Sequence, residues 1–160
     1  AWDIALKTNG PTVLALSRQG LKAFRSEKSF ENKVSKGGYV LHENSKKRDL
    51  TIIATGSEIE IAMEASSLLS NDGINAAVVS LPCWELFDKQ DYNYKSNVLG
   101  ECPRIAIEAG TEMGWTKYIG EKGIFIGMNS FGASGPASEL YKHFGITSDA
   151  VVNAAKKQLS

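Results

Sequence analysis

Apolar residues occur along most of this chain in two alternating patterns, short continuous runs and stripes at helical spacing. Continuous runs at 50–54, 74–81, 104–108 and 124–126 predict buried strands. The stripe from Ile59 to Leu69 recurs every three or four residues, and it stops at an Asn-Asp-Gly turn typical of a helix end. Further helices are predicted at 88–99, 116–119, 137–144 and 148–159, the last with Thr147 as its N-cap.

This alternation of strand and helix predicts a parallel sheet covered by helices on both faces. The apolar run at 38–42 is the exception, because only a short polar turn separates it from the strand at 50–54. Two strands joined by so short a turn must run antiparallel. We therefore expect an α/β fold with three α/β/α layers, in which a mostly parallel sheet of about five strands carries one antiparallel edge strand at 38–42.

The first 36 residues do not follow this rhythm. Residues 1–7 resemble the end of a helix, and the apolar run at 12–16 predicts a buried strand after a turn. A chain rarely begins within such an element, so we expect that an upstream part is missing. The polar stretch at 25–36 is typical of a linker. The predicted organisation is a tail of an upstream domain at 1–24, a linker at 25–36 and a complete domain at 37–160.

Charge and hydropathy restrict the classes of partner. Eighteen Lys and Arg balance eighteen Asp and Glu, so the chain has no net field to attract nucleic acid or an anionic membrane. No apolar run approaches the roughly 20 residues that cross a bilayer. The composition therefore predicts a soluble, cytoplasmic protein with neither kind of partner.

Arg18 follows directly on the apolar run at 12–17, where the planar fork of an arginine can hold a phosphate. By local pattern alone, a surface ion pair is the better interpretation of this residue. The loop at 54–58 joins a strand to a helix, as in many anion sites. However, Ser57 and Glu60 fit the S-x-x-E capping box, and Glu58 would repel phosphate, so the loop is interpreted as a helix start.

Three other features carry no assigned chemistry. Glu108 ends a predicted parallel strand, where ligands tend to bind, but a single carboxylate does not make an acid/base pair. A structural role, such as capping the next helix or meeting a neighbouring subunit, is favoured for it. The glycine-rich run at 131–136 is explained by a tight turn, and the core is the default place for the aromatic side chains, Phe131 included.

Six sequence runs, in this order, resemble the transketolase family. Their combination is far more specific than any one of them, and they span nearly the whole chain. They are L-S-R-Q at 16–19, K-G-G-Y-V-L at 36–41, I-A-T-G-S-E at 53–58, W-E-L-F-D-K-Q at 84–90, F-G-A-S at 131–134 and Y-K-H-F-G-I-T at 141–147.

The resemblance implies the tail of a pyrimidine-binding domain followed by the complete C-terminal domain. Transketolases transfer a two-carbon ketol unit from a ketose phosphate to an aldose phosphate, and they use thiamine diphosphate held by Mg²⁺ or Ca²⁺ at a homodimer interface. The family's cofactor, metal and catalytic groups have no counterpart among these residues. Arg18 alone carries over, as a ligand of the sugar's terminal phosphate, and the C-terminal domain is expected to serve mainly in dimer contacts.

Several alternatives remain open at this point. Dihydroxyacetone synthases are close relatives, and deoxyxylulose phosphate synthases and the β-type subunits of oxoacid dehydrogenases share the C-terminal fold. The chain could also be a stand-alone module that binds a small anion or a nucleotide, or a pure interaction domain. On the leading interpretation it is a transketolase fragment that is inactive alone and binds no cofactor itself.

Overall fold

The sheet at the centre of the molecule has five strands in the order β1-β3-β2-β4-β5. The computed structural model describes residues 1–25, 31–45 and 47–160. The predicted linker at 25–36 therefore falls partly outside the described residues, and its last turn, Lys33–Lys36, is a short 3₁₀ helix. The strands are β1 Tyr39–His42, β2 Leu50–Ala54, β3 Ala76–Ser80, β4 Arg104–Ile107 and β5 Ile124–Ile126.

Seven α-helices accompany these strands within the described ranges. A short α1 lies before the domain, and α2 to α7 cover the sheet. They are α1 Trp2–Lys7, α2 Glu58–Asn71, α3 Trp84–Asp88, α4 Tyr92–Leu99, α5 Thr116–Ile119, α6 Ala137–His143 and α7 Ser148–Leu159.

The two faces of the sheet bury two separate hydrophobic cores. Alternate residues of β2 point to opposite sides, so Ile52 packs with α2 and α7 while Ile53 packs with Phe87, Trp115 and the helices α3 to α5. A strand buried on both faces must be apolar throughout, which explains its continuous apolar run. This arrangement confirms the predicted three-layer α/β fold.

The antiparallel edge strand is also confirmed, but its neighbour is not the one that the short turn suggests. β1 pairs with β3, and β2 lies on the far side of β3. The direction of β1 follows from the turn, whereas its position depends on which buried strand accepts it. A slip in register between Val40 and His42 marks an irregularity in this edge pair.

Two predicted elements need correction. The run at 12–16 has no regular secondary structure, and Val13 and Leu16 are 89% and 78% exposed, because no described strand lies beside them to complete a sheet. The helix predicted at 88–99 begins only at Tyr92, since Asp88 ends the separate helix α3 and the Asp91 side chain, which accepts a hydrogen bond from the backbone N–H of Tyr94 (2.8 Å), caps the start of α4. The N-cap of α7 is confirmed, with the Thr147 hydroxyl accepting from the N–H of Ala150.

Candidate functional site

The crevice between the carboxyl ends of β2 and β4 is the point at which the direction of strand succession reverses. From β2 the chain passes to β3 on one side, and it then returns across β2 to β4 and β5 on the other. In open α/β sheets, ligands bind at such switch points. Thr55 follows β2 and Glu108 follows β4, so these two residues lie at the mouth of the crevice.

Glu58, the first residue of α2, lies buried in this crevice with only 3% of its surface exposed. Its Oε1 accepts a short hydrogen bond from the Tyr141 hydroxyl of α6. The Ser57 hydroxyl lies 3.0 Å from that same carboxylate oxygen and 3.0 Å from the Tyr141 hydroxyl. Tyr141 therefore connects α6 to the start of α2.

The predicted capping box at Ser57 and Glu60 is wrong, although the loop does begin a helix. Ser57 has helical backbone angles, and its side chain makes no capping hydrogen bond to a backbone N–H. The hydroxyl bonds to Glu58 and Tyr141 instead, because those buried groups compete for it. Glu58 lies in the first turn of α2, where its negative charge would oppose the binding of phosphate at this helix start.

Glu108 faces Glu58 across the switch point, so the crevice holds two carboxyl groups where the sequence suggested one. Burial, followed by the charge of Glu58, raises the pKa of Glu108 to about 8, and hydrogen bonds from Thr55 only partly offset this. Its Oε2 is buried with no hydrogen-bond partner among the described residues. Burial and the neighbouring charge therefore both favour the protonated form of the Glu108 carboxyl.

Sequence reasoning placed Glu58 and Glu108 at the ends of two strands but missed that they meet. The signal that could have found the pair is the strand order, because only adjacent strands bring their following residues together. The pattern of apolar residues identifies strands without ordering them. Tyr141 was missed for a similar reason, since nothing local connects α6 to the crevice.

The S-R-Q run at 17–19 lies against this crevice. The Ser17 hydroxyl is so close to Gly56 that a Cβ built there would lie 3.4 Å from it. Gln19 and Tyr141 line the same groove, and burial, followed by the hydrogen bond to Glu58, raises the pKa of Tyr141 to about 12. Arg18 lies between these two contacts in an exposed position, and it forms no ion pair within the described residues.

Beyond Arg18 the chain continues along the surface of α2 and α6. A groove of about 1150 Å³ separates residues 19–24 from these helices, and Phe24 packs against the hydrophobic core at its end. The guanidinium of Arg25 lies over the ring of Tyr39, 5.6 Å from its centre. The structure therefore brings Arg18 to the carboxyl edge of the sheet, next to the switch point.

The aromatic side chains divide between core and surface. Phe87, Trp115 and Tyr118 are buried as expected, and Trp84 packs edge-on against Trp115 at 5.2 Å between ring centres. The expectation that Phe131 lies in the core is wrong, because its side chain is 97% exposed on the loop after β5. Residues 131–134 have no regular secondary structure, and this loop leads through Pro136 into α6.

Membrane insertion through a helix has no support in the described part of the chain. None of its helices combines the length and the hydropathy that a bilayer span requires. The longest, α2, has 14 residues and includes charged side chains.

Comparison with known proteins agrees with these observations. Residues 37–147 match the family model described as the transketolase-like TK C-terminal domain. The transketolase of Sinorhizobium medicae is 54% identical over 160 residues, which is 99% of this chain and 23% of that protein. The chain thus spans about a quarter of the length of this curated relative.

Two solved structures show the same similarity in three dimensions. The transketolase of Campylobacter jejuni superposes with a TM-score of 0.86 at 35% identity, covering 98% of this chain and 24% of that one. A transketolase of Pichia stipitis in complex with sedoheptulose 7-phosphate gives 0.73 at 43% identity, covering 79% and 18%. The chain therefore belongs to the transketolase family, and its domain is the C-terminal domain of that family.

Proposed function

We propose that this chain is the C-terminal part of a transketolase, which transfers a two-carbon ketol unit from a ketose phosphate to an aldose phosphate. The observation that carries the proposal is identity of 54% to a named transketolase over the length of this chain. The names of the relatives favour transketolase over dihydroxyacetone synthase. In the proposed parent, residues 1–24 end the pyrimidine-binding domain, 25–36 link it to the C-terminal domain, and the location is cytoplasmic.

Thiamine diphosphate and its divalent metal do not fit the residues of this chain. Among residues 1–25, 31–45 and 47–160, no three His, Cys, Asp or Glu side chains come together as metal ligands. The switch-point crevice presents the carboxyl groups of Glu58 and Glu108, and a carboxylate there would repel a diphosphate. We assign the cofactor to the remainder of the proposed parent, and we derive no chemical step from this chain.

Arg18 is the residue proposed to contact substrate, as a ligand of the sugar's terminal phosphate. Its exposed guanidinium can form two parallel charge-assisted hydrogen bonds to phosphate oxygens. The similar Pichia stipitis enzyme was solved with a sugar phosphate, which supports this class of substrate. Because one arginine cannot supply the reaction, the 160-residue chain is expected to be inactive.

An activity assay tests this proposal. Ketol transfer from xylulose 5-phosphate to ribose 5-phosphate, with thiamine diphosphate and magnesium, should show turnover in the full-length enzyme and none in the 160-residue chain. Turnover by the short chain would contradict the proposed division of labour. Absence of turnover in the full-length enzyme would contradict the proposed reaction.

The second role proposed for the domain is in contacts within a homodimer. Phe131 and Met113 project from the loops after β5 and β4, and they are 97% and 84% exposed. Large apolar side chains in such positions are typical of interfaces. Sedimentation of the full-length enzyme should show a dimer whose dissociation increases in the Phe131→Ser variant. An unchanged dissociation constant would exclude Phe131 from the interface.

The alternative of a stand-alone nucleotide-binding module is opposed by the crevice itself. A switch point that binds nucleotides presents backbone N–H groups to phosphate. Here Glu58 occupies the first turn of α2 and Glu108 lies opposite. Calorimetric titration of the 160-residue chain with nucleotides should therefore detect no micromolar affinity.

A further inference from the structure

We propose that the loops after β4 and β5 form one rigid platform, through which this domain contacts the same platform of a second copy of the chain across a two-fold axis. The platform consists of residues 109–114 and 127–136. This inference rests on the proposed homodimer role and deepens it, because it names the surface, its partner and the residue, Gly114, that fixes its shape.

The first step of the argument is the composition of the platform. Among its sixteen residues Glu112 is the one charged residue, whereas 22% of the whole chain is charged. Its large apolar side chains, Met113 and Phe131, are 84% and 97% exposed. Few charges combined with accessible methionine and aromatic side chains are typical of the centre of a protein–protein interface.

The second step is that the two loops are tied to each other. The backbone N–H of Met128 donates a hydrogen bond to the carbonyl oxygen of Gly110, at 2.7 Å. Gly127 lies so close to the other loop that a Cβ built on it would be 2.7 Å from the carbonyl oxygen of Glu108. Residues 109–114 and 127–136 therefore form one connected surface rather than two independent loops.

The third step is that Trp84 of α3 fixes the shape of the loop after β4. Gly114 has a φ of 88°, and a Cβ built on it would lie 2.7 Å from Cζ3 of Trp84. Glycine alone combines this conformation with so close an approach. Trp84 packs edge-on against the buried Trp115, whose N–H donates to the carbonyl oxygen of Glu112 at 2.9 Å. Met113 is thus presented by a turn that is anchored in a hydrophobic core.

The fourth step identifies the partner. Across a two-fold axis a surface meets its own copy, so a surface with a large net charge would repel itself. With one charge in sixteen residues, the platform nearly avoids this repulsion. Its anchored loops also lose little conformational entropy on binding. These properties favour a second copy as the occupant, and the upstream part of the same polypeptide is the competing one.

Cross-linking in the full-length enzyme separates the two occupants. With the photoreactive p-benzoylphenylalanine in place of Phe131, irradiation should join two copies, and the linked peptides should both come from the platform. A product with the mass of one copy, linked to the upstream part of its own chain, would overturn the inference. A link to any other part of the second copy would do the same.

Gly114→Ala tests the role of Trp84 in fixing the loop. Gly120→Ala is the matched control, because Gly120 has a similar φ of 78° but a Cβ there meets nothing within 4 Å. In sedimentation of the full-length enzyme, the dimer dissociation constant should rise about 5- to 20-fold for Gly114→Ala and less than about twofold for Gly120→Ala. Equal dissociation constants in the two variants would show that Gly114 does not shape the interface.

A pair of opposite charges at Met113 tests the self-contact without disturbing the fold, because this side chain is 84% exposed. Met113→Asp and Met113→Lys should each raise the dissociation constant at least about 10-fold, since like charges then meet at the axis. An equal mixture of the two variants should recover tight association, because opposite charges then meet. If the mixture dissociates as readily as each variant alone, the self-contact is wrong.

Phe131→Ser separates failure of the inference from failure of the proposed dimer role. If Phe131→Ser weakens the dimer and Gly114→Ala does not, only the role of Gly114 is wrong. If neither Phe131→Ser nor the two Met113 variants change the dissociation constant, the proposed interface is wrong and the inference fails with it.

Discussion

Residues 1–25 and the domain at 37–160 contain the same kinds of apolar side chain, yet they bury them to very different extents. Leu81 in the domain is completely buried, whereas Leu16 in the segment is 78% exposed. The domain closes two cores around its sheet, whereas the segment lies on the surface of the domain, where Phe24 packs against one of these cores and Arg25 lies over Tyr39. The comparison shows that an apolar run becomes a strand only where neighbouring strands accept it.

The sharpest test of this contrast is the same substitution in both regions. Leu81→Ala should lower the free energy of unfolding by about 2–5 kcal/mol, because it leaves a cavity in a closed core. Leu16→Ala should change it by less than about 0.5 kcal/mol. Urea denaturation of the 160-residue chain measures both values. A comparable loss in the two variants would show that the segment is packed.

The junction between the two regions offers a second matched pair. Gly37 (φ 79°) and Gly73 (φ 77°) share the left-handed conformation, but a Cβ on Gly37 would lie 2.2 Å from the Phe87 backbone nitrogen, whereas one on Gly73 meets nothing within 4 Å. Gly73→Ala should cost about 1–2 kcal/mol for conformation alone. Gly37→Ala should cost roughly 1–3 kcal/mol more, because the clash adds to it.

Thermal or urea denaturation of both glycine variants checks this prediction, with the unmodified chain as reference. Equal losses in the two variants would mean that the junction adjusts without disturbing α3. In that case residues 31–37 would behave like the exposed segment rather than like the domain.

The third prediction concerns the crevice where the two regions meet. The pKa of Glu108 is raised from 4.5 to about 8 in the folded state, so the folded protein keeps this proton over a pH range in which the unfolded chain has lost it. The contribution of Glu108 to stability is therefore complete below pH 4.5 and declines as the pH rises through 8. The domain should become less stable across this range.

Glu108→Gln isolates that contribution, because glutamine keeps the shape and cannot ionise. The difference between the free energies of unfolding at pH 5 and pH 9 should shrink by about 1–3 kcal/mol, the range for a buried polar group with incomplete partners. The exposed Glu121→Gln serves as control and should keep the original difference. Identical pH dependence in both variants would show that the carboxyl pair is solvated.

The smallest effect is expected at the far end of the exposed segment. Asp3 pairs with Lys7 at 2.6 Å and with Asn32, and these hydrogen bonds lower its pKa, yet both charged side chains are more than half exposed. Asp3→Asn should not measurably shift the urea midpoint of the domain. A clear shift would indicate that α1 is coupled to the core.

Local pattern was sufficient to predict most helices and strands, because each is specified by the spacing of its own apolar residues. Thr116–Ile119, Ile124–Ile126 and Ser148–Leu159 have the predicted bounds. Strand order was not predictable, since the place of β1 beside β3 depends on contacts about 40 residues apart in sequence.

The candidate site depended on that missing information. Arg18 was identified through resemblance, while the pairing of Glu58 with Glu108 required knowing that β2 and β4 are neighbours. The run at 12–16 misled the prediction for the converse reason, because its apolar residues suit a strand that has no partner among the described residues. In each case the local chemistry was visible and the long-range neighbour was not.

The reversed direction of β1 determines where the domain receives the chain that precedes it. Tyr39 pairs with Ser80, at the end of β3, so the chain arrives at the carboxyl edge of the parallel strands and is carried across to the other edge before β2 begins. If β1 ran parallel to the other strands, the preceding chain would enter at the opposite edge of the sheet, about 13 Å away, because a strand rises roughly 3.3 Å per residue. Because of this single antiparallel strand, the chain enters the domain on the same side as the switch-point crevice.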